Sequence, residues 1–221
     1  MRKIVCRLRL NEVSRQWRRR PKLPPNASCS CISCSPTGCP PRGGVGRRPA
    51  SGRNFCQGTS PPRVACGGCR ATGRCVRGGL VNDAIDAMET ADALVLASPV
   101  HYAGISGAMS AFCDRLFYAS DGWANKPCAC VVSARRAGTT AALDQLVKYP
   151  MISNMPVVSS QYWPMVHGAC PEDAAQDAEG LQTMRQLARN LLWLVRCIAA
   201  GDTAGVARPE TEARTFTNFI R

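Results

Sequence analysis

Residues 91–115 read ADALVLASPVHYAGISGAMSAFCDR, and the pattern changes twice along them. The unbroken apolar run Ala93–Ala97 is typical of a strand covered on both faces of a parallel sheet. Ser98-Pro99 should end this strand, because proline donates no hydrogen bond to a sheet and holds its predecessor extended. A loop with Gly104 and Gly107 follows, and apolar residues then recur at helical spacing: Met109, Phe112, Cys113, Leu116 and Phe117. Open α/β sheets bind ligands at such loops, at the carboxyl ends of strands.

A second strand and polar loop of the same kind come later in the chain. The apolar run Cys128–Val132 leads into the polar segment Ser133–Thr140. A helical face then follows, formed by Ala141, Leu143, Leu146 and Val147. Upstream, Leu80–Thr90 is predicted as a helix with one apolar face: Val81, Ala84, Ile85 and Met88. Two successive strands that end in polar loops can line one crevice, so the sequence predicts a binding site between these loops.

The chain beyond these loops predicts one more strand and a long helix. Met155–Ser160 reads as the last strand, and Gln161–Gly168 after it is unusually aromatic for a loop. Pro171-Glu172-Asp173 suits the first turn of a helix. Six apolar residues continue the helical pattern, and Gly201 is its expected stop: Leu181, Met184, Leu187, Leu191, Leu194 and Ile198. The tail after Val206 is polar, and we expect it on the surface.

The first polar loop resembles a loop of a known enzyme family. Residues 98–116, SPVHYAGISGAMSAFCDRL, are similar to the flavin loop of the flavodoxin-like NAD(P)H-dependent FMN reductases, which include the iron–sulfur flavoproteins. The matching positions are Ser98, Pro99, Val100, Tyr102, Gly104, Ser106 and Gly107, with His101 where an aromatic residue is common. The resemblance implies that this loop lies along the isoalloxazine ring of FMN. It also implies that the second loop meets the flavin edge through Ser133, Ala134, Arg135, Arg136, Gly138 and Thr139.

The two arginines of the second loop have two further interpretations. Arginine usually lies at the surface as a solvated charge, and Arg135 and Arg136 fit that description. Either one is also suited to attract the phosphate of a nicotinamide cofactor.

The resemblance further implies a flavodoxin-like α/β fold over residues 64–221. This fold is an open parallel sheet with helices on both faces and strand order 2-1-3-4-5. Its N-terminal strand–helix–strand unit is missing or replaced here. Met1–Val5 reads as the start of a first strand, but Cys6–Arg20 contains no glycine and a single hydroxyl, Ser14. The family's phosphate loop, which holds FMN at a helix N-terminus, is therefore not recognisable.

Residues 1–63 form a separate segment that is basic and rich in Arg, Pro and Cys. Residues 1–62 hold thirteen of the 28 Lys and Arg residues but only one of the 15 acidic residues, so the remainder is nearly neutral. With few large apolar residues, the segment cannot offset the entropy cost of ordering. We therefore expect it to be disordered or loosely attached, or to be a misread frame of a GC-rich gene.

Three functional interpretations of the same segment stay open. A basic arm for nucleic acid would use Arg18, Arg19, Arg20, Lys22, Arg47 and Arg48, although the neutral body makes nucleic acid an unlikely partner. A zinc site would use Cys29, Cys31, Cys34 and Cys39, without a second spaced pair or a nearby histidine. A basic side chain would replace the missing loop at the FMN phosphate.

Three cysteines lie near the start of the domain that resembles the family. Cys66, Cys69 and Cys75 form a Cys-x2-Cys-x5-Cys run. The iron–sulfur flavoproteins have a similar Cys-x2-Cys-x2-Cys-x5-Cys run, whose first position falls here on Arg63, with Cys56 an unsupported substitute. A [4Fe–4S] cluster normally takes four thiolates, so these cysteines as metal ligands are the less favoured interpretation. The favoured one is a cysteine loop beside the flavin without a cluster.

The sequence thus predicts an FMN-dependent oxidoreductase. It would take hydride from NAD(P)H and reduce a small-molecule electron acceptor such as a quinone, a nitro compound or a metal. No catalytic side chain is expected, because the flavin carries the chemistry, and His167 is read as structural. The alternative is an inactive remnant of the fold, or a dimeric scaffold whose basic tail binds an acidic partner, because the missing phosphate loop weakens FMN binding.

Location and assembly follow from the same features. No apolar run approaches the length of a membrane span, and Met1–Val5 is not followed by the apolar core of a signal peptide. We therefore expect a cytoplasmic protein, with no membrane partner, whose fourteen cysteines are reduced or bind metal. The resemblance implies a homodimer or homotetramer, with Gln161–Gly168 covering the flavin and helping to form the dimer. A loop tucked onto its own core is the alternative.

Overall fold

The computed structural model describes residues 60–120, 123–213 and 215–217, together with two short strands near the N-terminus. These strands are β1, Val5–Cys6, and β2, Gly52–Arg53, and they pair antiparallel. The rest of residues 1–59 lies outside the described residues. So do the predictions that depend on it: the misread frame, the basic arm, the zinc site and the missing phosphate loop. The division of the chain at residue 63 stays a prediction.

A four-stranded sheet forms the centre of the described domain. Its strands are β3, Leu94–His101; β4, Gly104–Ile105; β5, Cys128–Ala134; and β6, Met165–His167. Their order is β4-β3-β5-β6. The β3–β5 and β5–β6 pairs are parallel, whereas β3 and β4 form an antiparallel hairpin. The sheet is therefore parallel with one antiparallel edge strand, rather than parallel throughout as predicted.

Helices pack on both faces of this sheet. They are α1, Leu80–Glu89; α2, Gly107–Ala119; α3, Thr139–Ile152; α4, Pro171–Ala174; and α5, Ala178–Thr203, preceded by a short 3-10 helix at Gly68–Ala71. Apolar residues of α1, α2 and α3 share one core with Leu96 and Val132. Residues of α5 share a second core with Ala97 and Val131. Because successive strand residues point to opposite faces, these two cores lie on opposite sides of the sheet, and the predicted α/β class is confirmed.

The predicted strand ends were wrong at the two polar loops. β3 continues through Pro99 to His101, and β5 continues to Ala134. Pro99 lies opposite Ser133 at the end of the parallel ladder, and β3 then pairs with β4. A missing N–H at that point costs one ladder bond and does not break the strand. Much of each predicted loop is therefore strand.

The predicted last strand was also wrong. Met155–Ser160 contributes only one isolated bridge, from Val157 to Cys128, and the last strand is β6. The side chain of Asn190 donates to the Ser159 carbonyl at 2.8 Å, and Ser160 Oγ donates to the Thr183 carbonyl at 2.7 Å. At the bridge, the Cys128 N–H donates to the Pro156 carbonyl at 2.8 Å and the Val158 N–H donates to the Cys128 carbonyl at 2.9 Å. The pairing with β5 ends there, and the next two residues bond to α5.

The long C-terminal helix is interrupted. α4 ends at Ala174, and α5 starts at Ala178 with Asp177 as its N-cap, whose Oδ1 accepts the Gly180 N–H at 2.9 Å. α5 passes the expected stop and ends at Thr203. Among the described residues, no helix is both long and apolar enough to cross a membrane.

Candidate functional site

A tight hairpin follows β3 at the carboxyl edge of the sheet. Its turn consists of Tyr102 and Ala103, whose φ angles are 49° and 58°. Positive φ at both central residues is typical of the type I′ turns that match the twist of two paired strands. Neither residue is glycine, so the turn stores roughly 1–3 kcal/mol of backbone strain at each position. The turn leaves the Tyr102 ring fully exposed to solvent.

Two buried serines hold the hairpin in shape. Ser98 and Ser106 are 1% and 2% exposed. Ser98 Oγ accepts the Ser106 N–H at 3.0 Å and donates to the Pro99 carbonyl at 2.8 Å. Ser106 Oγ accepts the Met109 N–H at 3.2 Å and so caps α2. Both side chains are engaged within the hairpin, and their contact with a cofactor stays a prediction.

Gln145 of α3 was not predicted as a site residue, and it supports the hairpin from outside. Its Oε1 accepts the Ile105 N–H at 3.0 Å. A Cβ on Gly104 would lie 3.0 Å from the same oxygen, so glycine leaves room for this contact. The sequence gives no signal for Gln145, because nothing local distinguishes it from a surface glutamine.

The second loop packs directly against the hairpin turn. Gly138 has a φ of 88°, and a Cβ there would lie 2.7 Å from Ala103 Cα and 3.2 Å from Val100 Cγ1. Only glycine fits both this backbone conformation and this approach. The structure therefore brings together the two loops that the sequence predicted would share a crevice.

The predicted cofactor contacts differ in their exposure. His101, Tyr102, Gly107, Arg135 and Arg136 are exposed; Val100, Gly104, Ser133 and Gly138 are half-buried; Ser98, Pro99, Ser106, Ala134 and Thr139 are buried. Only the first two groups have surface that a ligand can reach, and the three glycines among them offer their backbone alone. The buried group fixes the backbone of the loops.

The aromatic segment Gln161–Gly168 was predicted as a loop, but Met165–His167 within it form β6, and only its first three residues are exposed. Tyr162 and Trp163 pack edge to face, with ring centroids 4.7 Å apart, and both are about half exposed. They are not tucked into the core of the described domain. His167 lies at the end of β6, where its backbone N–H donates to Asp177 Oδ2 at 2.7 Å. Burial raises the pKa of Asp177, but hydrogen bonds from the N–H groups of His167 and Gly180 outweigh it and lower the pKa below its usual value. These contacts agree with a structural role for His167.

Residues 58–169 match the family described as NADPH-dependent FMN reductase. The chain belongs to this family. An iron–sulfur flavoprotein from Methanocaldococcus jannaschii is 28% identical over 147 residues, which cover 62% of this chain and 76% of that protein. Another from Archaeoglobus fulgidus is 36% identical over 63 residues, covering 28% of this chain and 26% of that protein. The predicted resemblance is thus confirmed, and family membership supports an FMN-dependent oxidoreductase in general.

Two solved structures are also similar. The flavodoxin, WrbA-like protein from Agrobacterium tumefaciens has a TM-score of 0.43 and 21% identity, over 52% of this chain and 73% of that chain. The apo form of an NADH:FMN oxidoreductase has a TM-score of 0.36 and 23% identity, over 57% of this chain and 62% of that chain.

The paired loops of this family member fit the ring portion of FMN. Isoalloxazine needs an apolar surface beside its face and polar groups along its edge. The exposed Tyr102 ring supplies the apolar surface, and the polar residues that follow β5 supply the polar groups along the edge. The turn is held in place by the contacts of Gly138 and Gln145.

The cysteine run does not fit a [4Fe–4S] cluster in the part of the chain that the structure describes. There, no three His, Cys, Asp or Glu side chains lie close enough to hold a metal. Cys66 is exposed, and Cys69 Sγ lies 3.8 Å from the Tyr118 carbonyl. Arg63, at the position of the first ligand, instead stacks over the Tyr118 ring at 3.6 Å from its centroid.

Cys75 is held by a buried arginine. Arg115 is 5% exposed, and its Nε and Nη2 donate to Cys75 Sγ at 3.3 and 3.2 Å. It also donates to the Gly78 carbonyl at 2.8 Å and to Ser60 Oγ at 3.2 Å. Burial raises the pKa of the Cys75 thiol, but the hydrogen bond from Arg115 and the N–H and charge of Arg77 outweigh it and lower the pKa. Arg115 thus fastens the cysteine loop to α2.

A cavity of about 340 Å³ lies away from the paired loops. It is lined by Gly73, Ile85, Met88, Glu89, Ser120, Trp123 and Lys126. Burial lowers the pKa of Lys126, whose Nζ donates to the Met88 carbonyl at 2.6 Å. None of the predicted flavin contacts lines this cavity, so we do not place the flavin there.

Proposed function

We propose that the chain binds FMN between the hairpin Ser98–Gly107 and the loop Arg135–Gly138. We further propose that NAD(P)H gives hydride to the flavin and that the reduced flavin passes electrons to a small acceptor such as a quinone, a nitro compound or a metal. The observation that supports this most is the packing of Gly138 on Ala103, which joins the two loops. In a member of the FMN reductase family, a crevice built at the carboxyl ends of β3 and β5 is the expected flavin site.

The protein's own groups have binding and orienting roles in this proposal. When bound, FMN would supply the redox chemistry, taking hydride from the nicotinamide and passing two electrons on to the acceptor. The exposed ring of Tyr102 packs beside the flavin, and backbone groups of the two loops orient its polar edge. Ser98, Ser106 and Gln145 keep the turn in its strained conformation. No side chain is proposed as an acid or base.

The test is a visible absorption spectrum after incubation with excess FMN and gel filtration. The wild-type chain should retain flavin bands, and NADPH or NADH should bleach them under anaerobic conditions. Gly138→Ala should lose the flavin, because the added Cβ meets the Ala103 backbone. Ala137→Gly, next to it at an exposed position, is the matched control and should retain it.

The same spectrum distinguishes the proposed function from its alternative. A colourless wild-type protein would overturn the proposal and favour the inactive remnant or the dimeric scaffold with a basic tail. Retention of flavin by Gly138→Ala would place the flavin elsewhere.

Two further parts of the proposal concern assembly and location. We propose a homodimer or homotetramer in the cytoplasm. The half-exposed rings of Tyr162 and Trp163 support an interface, because large apolar surfaces of this kind are commonly covered by a partner. Sedimentation analysis of the wild type and of a Tyr162→Ser, Trp163→Ser double variant tests it, and an unchanged mass would remove these rings from the interface.

A further inference from the structure

We propose that Cys75 reacts as a thiolate nucleophile, with Arg115 as its counter-ion, and that small anionic disulfides modify it. The thiolate attacks one sulfur of the disulfide, a bond forms between Cys75 Sγ and that sulfur, and the other sulfur leaves as a thiolate. No further oxidant is needed, because the attacked disulfide is itself reduced. The inference goes beyond the proposed function and does not depend on it.

The buried charge of Arg115 is the first argument. Arg115 is 5% exposed, and none of the ion pairs among the described residues involves it. Its neighbour on α2, Asp114, accepts a hydrogen bond from the Tyr149 hydroxyl at 2.5 Å instead. Burying a guanidinium group without a counter-charge is costly. Its Nε and Nη2 donate to Cys75 Sγ at 3.3 and 3.2 Å, so this sulfur is in position to carry the counter-charge.

The position of Cys75 at the N-terminal end of α1 is the second argument. Asn82 lies in the first turn of this helix, and its side chain accepts the Cys75 N–H at 2.9 Å and donates to the Cys75 carbonyl at 3.0 Å. A helix N-terminus favours negative charge, and reactive cysteines are found at such ends and beside arginine. Burial raises the pKa of the Cys75 thiol, but the hydrogen bonds and charges of Arg115 and Arg77 outweigh it and lower the pKa.

The charges around Cys75 are the third argument. Residues 60–82 contain four arginines and no acid. On α1, Asp86 pairs with Arg74, and Asp83 acts on the same arginine. The other three arginines of the segment have no acidic partner among the described residues, so the local field favours an anionic reactant. Cys75 is half-buried, which leaves it open to a small reactant.

The first experiment follows the alkylation of Cys75 by iodoacetamide across a series of pH values. Each cysteine of the full chain is quantified by peptide mass spectrometry, and Cys75 in the urea-unfolded chain is the reference. The half-maximal pH of Cys75 alkylation should be lower in the native protein, because only the thiolate reacts. An equal or higher half-maximal pH in the native protein would overturn the inference without any variant.

Three variants test the role of Arg115 in the same assay. Arg115→Gln removes the charge but keeps an amide donor, so the half-maximal pH of Cys75 should rise, and Arg115→Lys, which keeps the charge, should raise it less. Arg70→Gln is the matched control, because Arg70 is exposed in the same segment and is not among the groups that lower the pKa of Cys75. No rise in Arg115→Gln, or an equal rise in Arg70→Gln, would overturn the counter-ion. If circular dichroism shows that Arg115→Gln does not fold, Arg115→Lys and the wild type decide.

The second experiment compares two small disulfides of opposite charge, dithiodipropionate and cystamine. The rate at which each forms a mixed disulfide on Cys75 is divided by its rate on the urea-unfolded chain, which removes the intrinsic reactivity of the reagent. The corrected rate should be about tenfold higher for the anionic reagent, and added salt should reduce this ratio. A ratio below about three would overturn the anionic class of reactant. An unmodified Cys75 beside modified Cys66 and Cys197, which are both exposed, would overturn the site.

Discussion

The contact between Gln145 and Ile105 gives the sharpest test of the proposed flavin crevice. In a two-residue hairpin, the pair that closes the turn, here His101 and Gly104, is hydrogen-bonded. The next pair, Val100 and Ile105, is not, so the Ile105 N–H points away from β3. Gln145 accepts that N–H at 3.0 Å.

Gln145→Met removes the acceptor and keeps the length of the side chain. Ile105 is buried, and an unsatisfied buried N–H costs about 1–3 kcal/mol. If this cost falls on the hairpin conformation that the flavin needs, FMN affinity should drop about 5–150-fold. Gln145→Glu is the matched control at pH 8, because its carboxylate still accepts the N–H and should keep most of the affinity.

The assay is a titration of the apoprotein with FMN, followed by flavin fluorescence, with thermal unfolding measured on the same samples. Affinity within twofold of the wild type in Gln145→Met would refute the reasoning. So would an equal loss in both variants, because the acceptor oxygen would then be irrelevant. A lower Tm with unchanged affinity would show that Gln145 stabilises the domain but not the site.

Three other predictions concern the remainder of the domain. Arg115→Met should lower the free energy of unfolding, measured in urea, by about 2–4 kcal/mol, because it leaves the Gly78 carbonyl and the Cys75 sulfur without their donor. Cys75→Ser should lower the free energy of unfolding by less, since the serine hydroxyl still accepts the hydrogen bond from Arg115. After anaerobic treatment with iron and sulfide, the wild type should hold no stoichiometric iron. A brown protein with about four iron atoms per chain would show instead that the chain binds a [4Fe–4S] cluster. Asp177→Ala should cost about 1–2 kcal/mol at pH 7 through loss of the α5 cap. The pKa of Asp177 is lowered in the native state. The stabilisation by its carboxylate is therefore fully present above the unfolded pKa of about 3.9, and it is lost as pH falls through the lower native value. The difference in Tm between the wild type and Asp177→Ala should therefore shrink below about pH 4 when thermal unfolding is measured across an acid pH series.

Local patterns were sufficient where the physics is local. The four residues predicted to form the apolar face of α1 are all buried, because helical periodicity follows from the helix itself. The packing of the two loops against each other was also predictable, since parallel strands place their carboxyl ends at one edge.

Contacts distant in sequence decided the rest. Pro99 predicted a strand end, but its neighbours in β5 and β4 keep the strand intact. Met155–Ser160 has the composition of a strand, but it pairs with β5 only at Cys128, and its last two residues bond to Asn190 and Thr183 of α5. Gln145 belongs to the same group, because its role depends on an N–H that lies 40 residues earlier.

The contacts that shape the ring side of the crevice all lie between residues 98 and 145, whereas no phosphate loop is recognisable at Cys6–Arg20. In the proposed site, the ring half and the phosphate half of FMN binding are thus separable, and the ratio of riboflavin to FMN dissociation constants measures the phosphate half alone. Two charge-assisted hydrogen bonds to phosphate, at about 1.5–3 kcal/mol each, would make that ratio at least about 150. We expect a ratio below about ten in fluorescence titrations of the full chain. A ratio above one hundred would mean that a phosphate site exists after all, and Arg135→Gln, Arg136→Gln would then show whether these two arginines or residues outside the described part of the chain supply it.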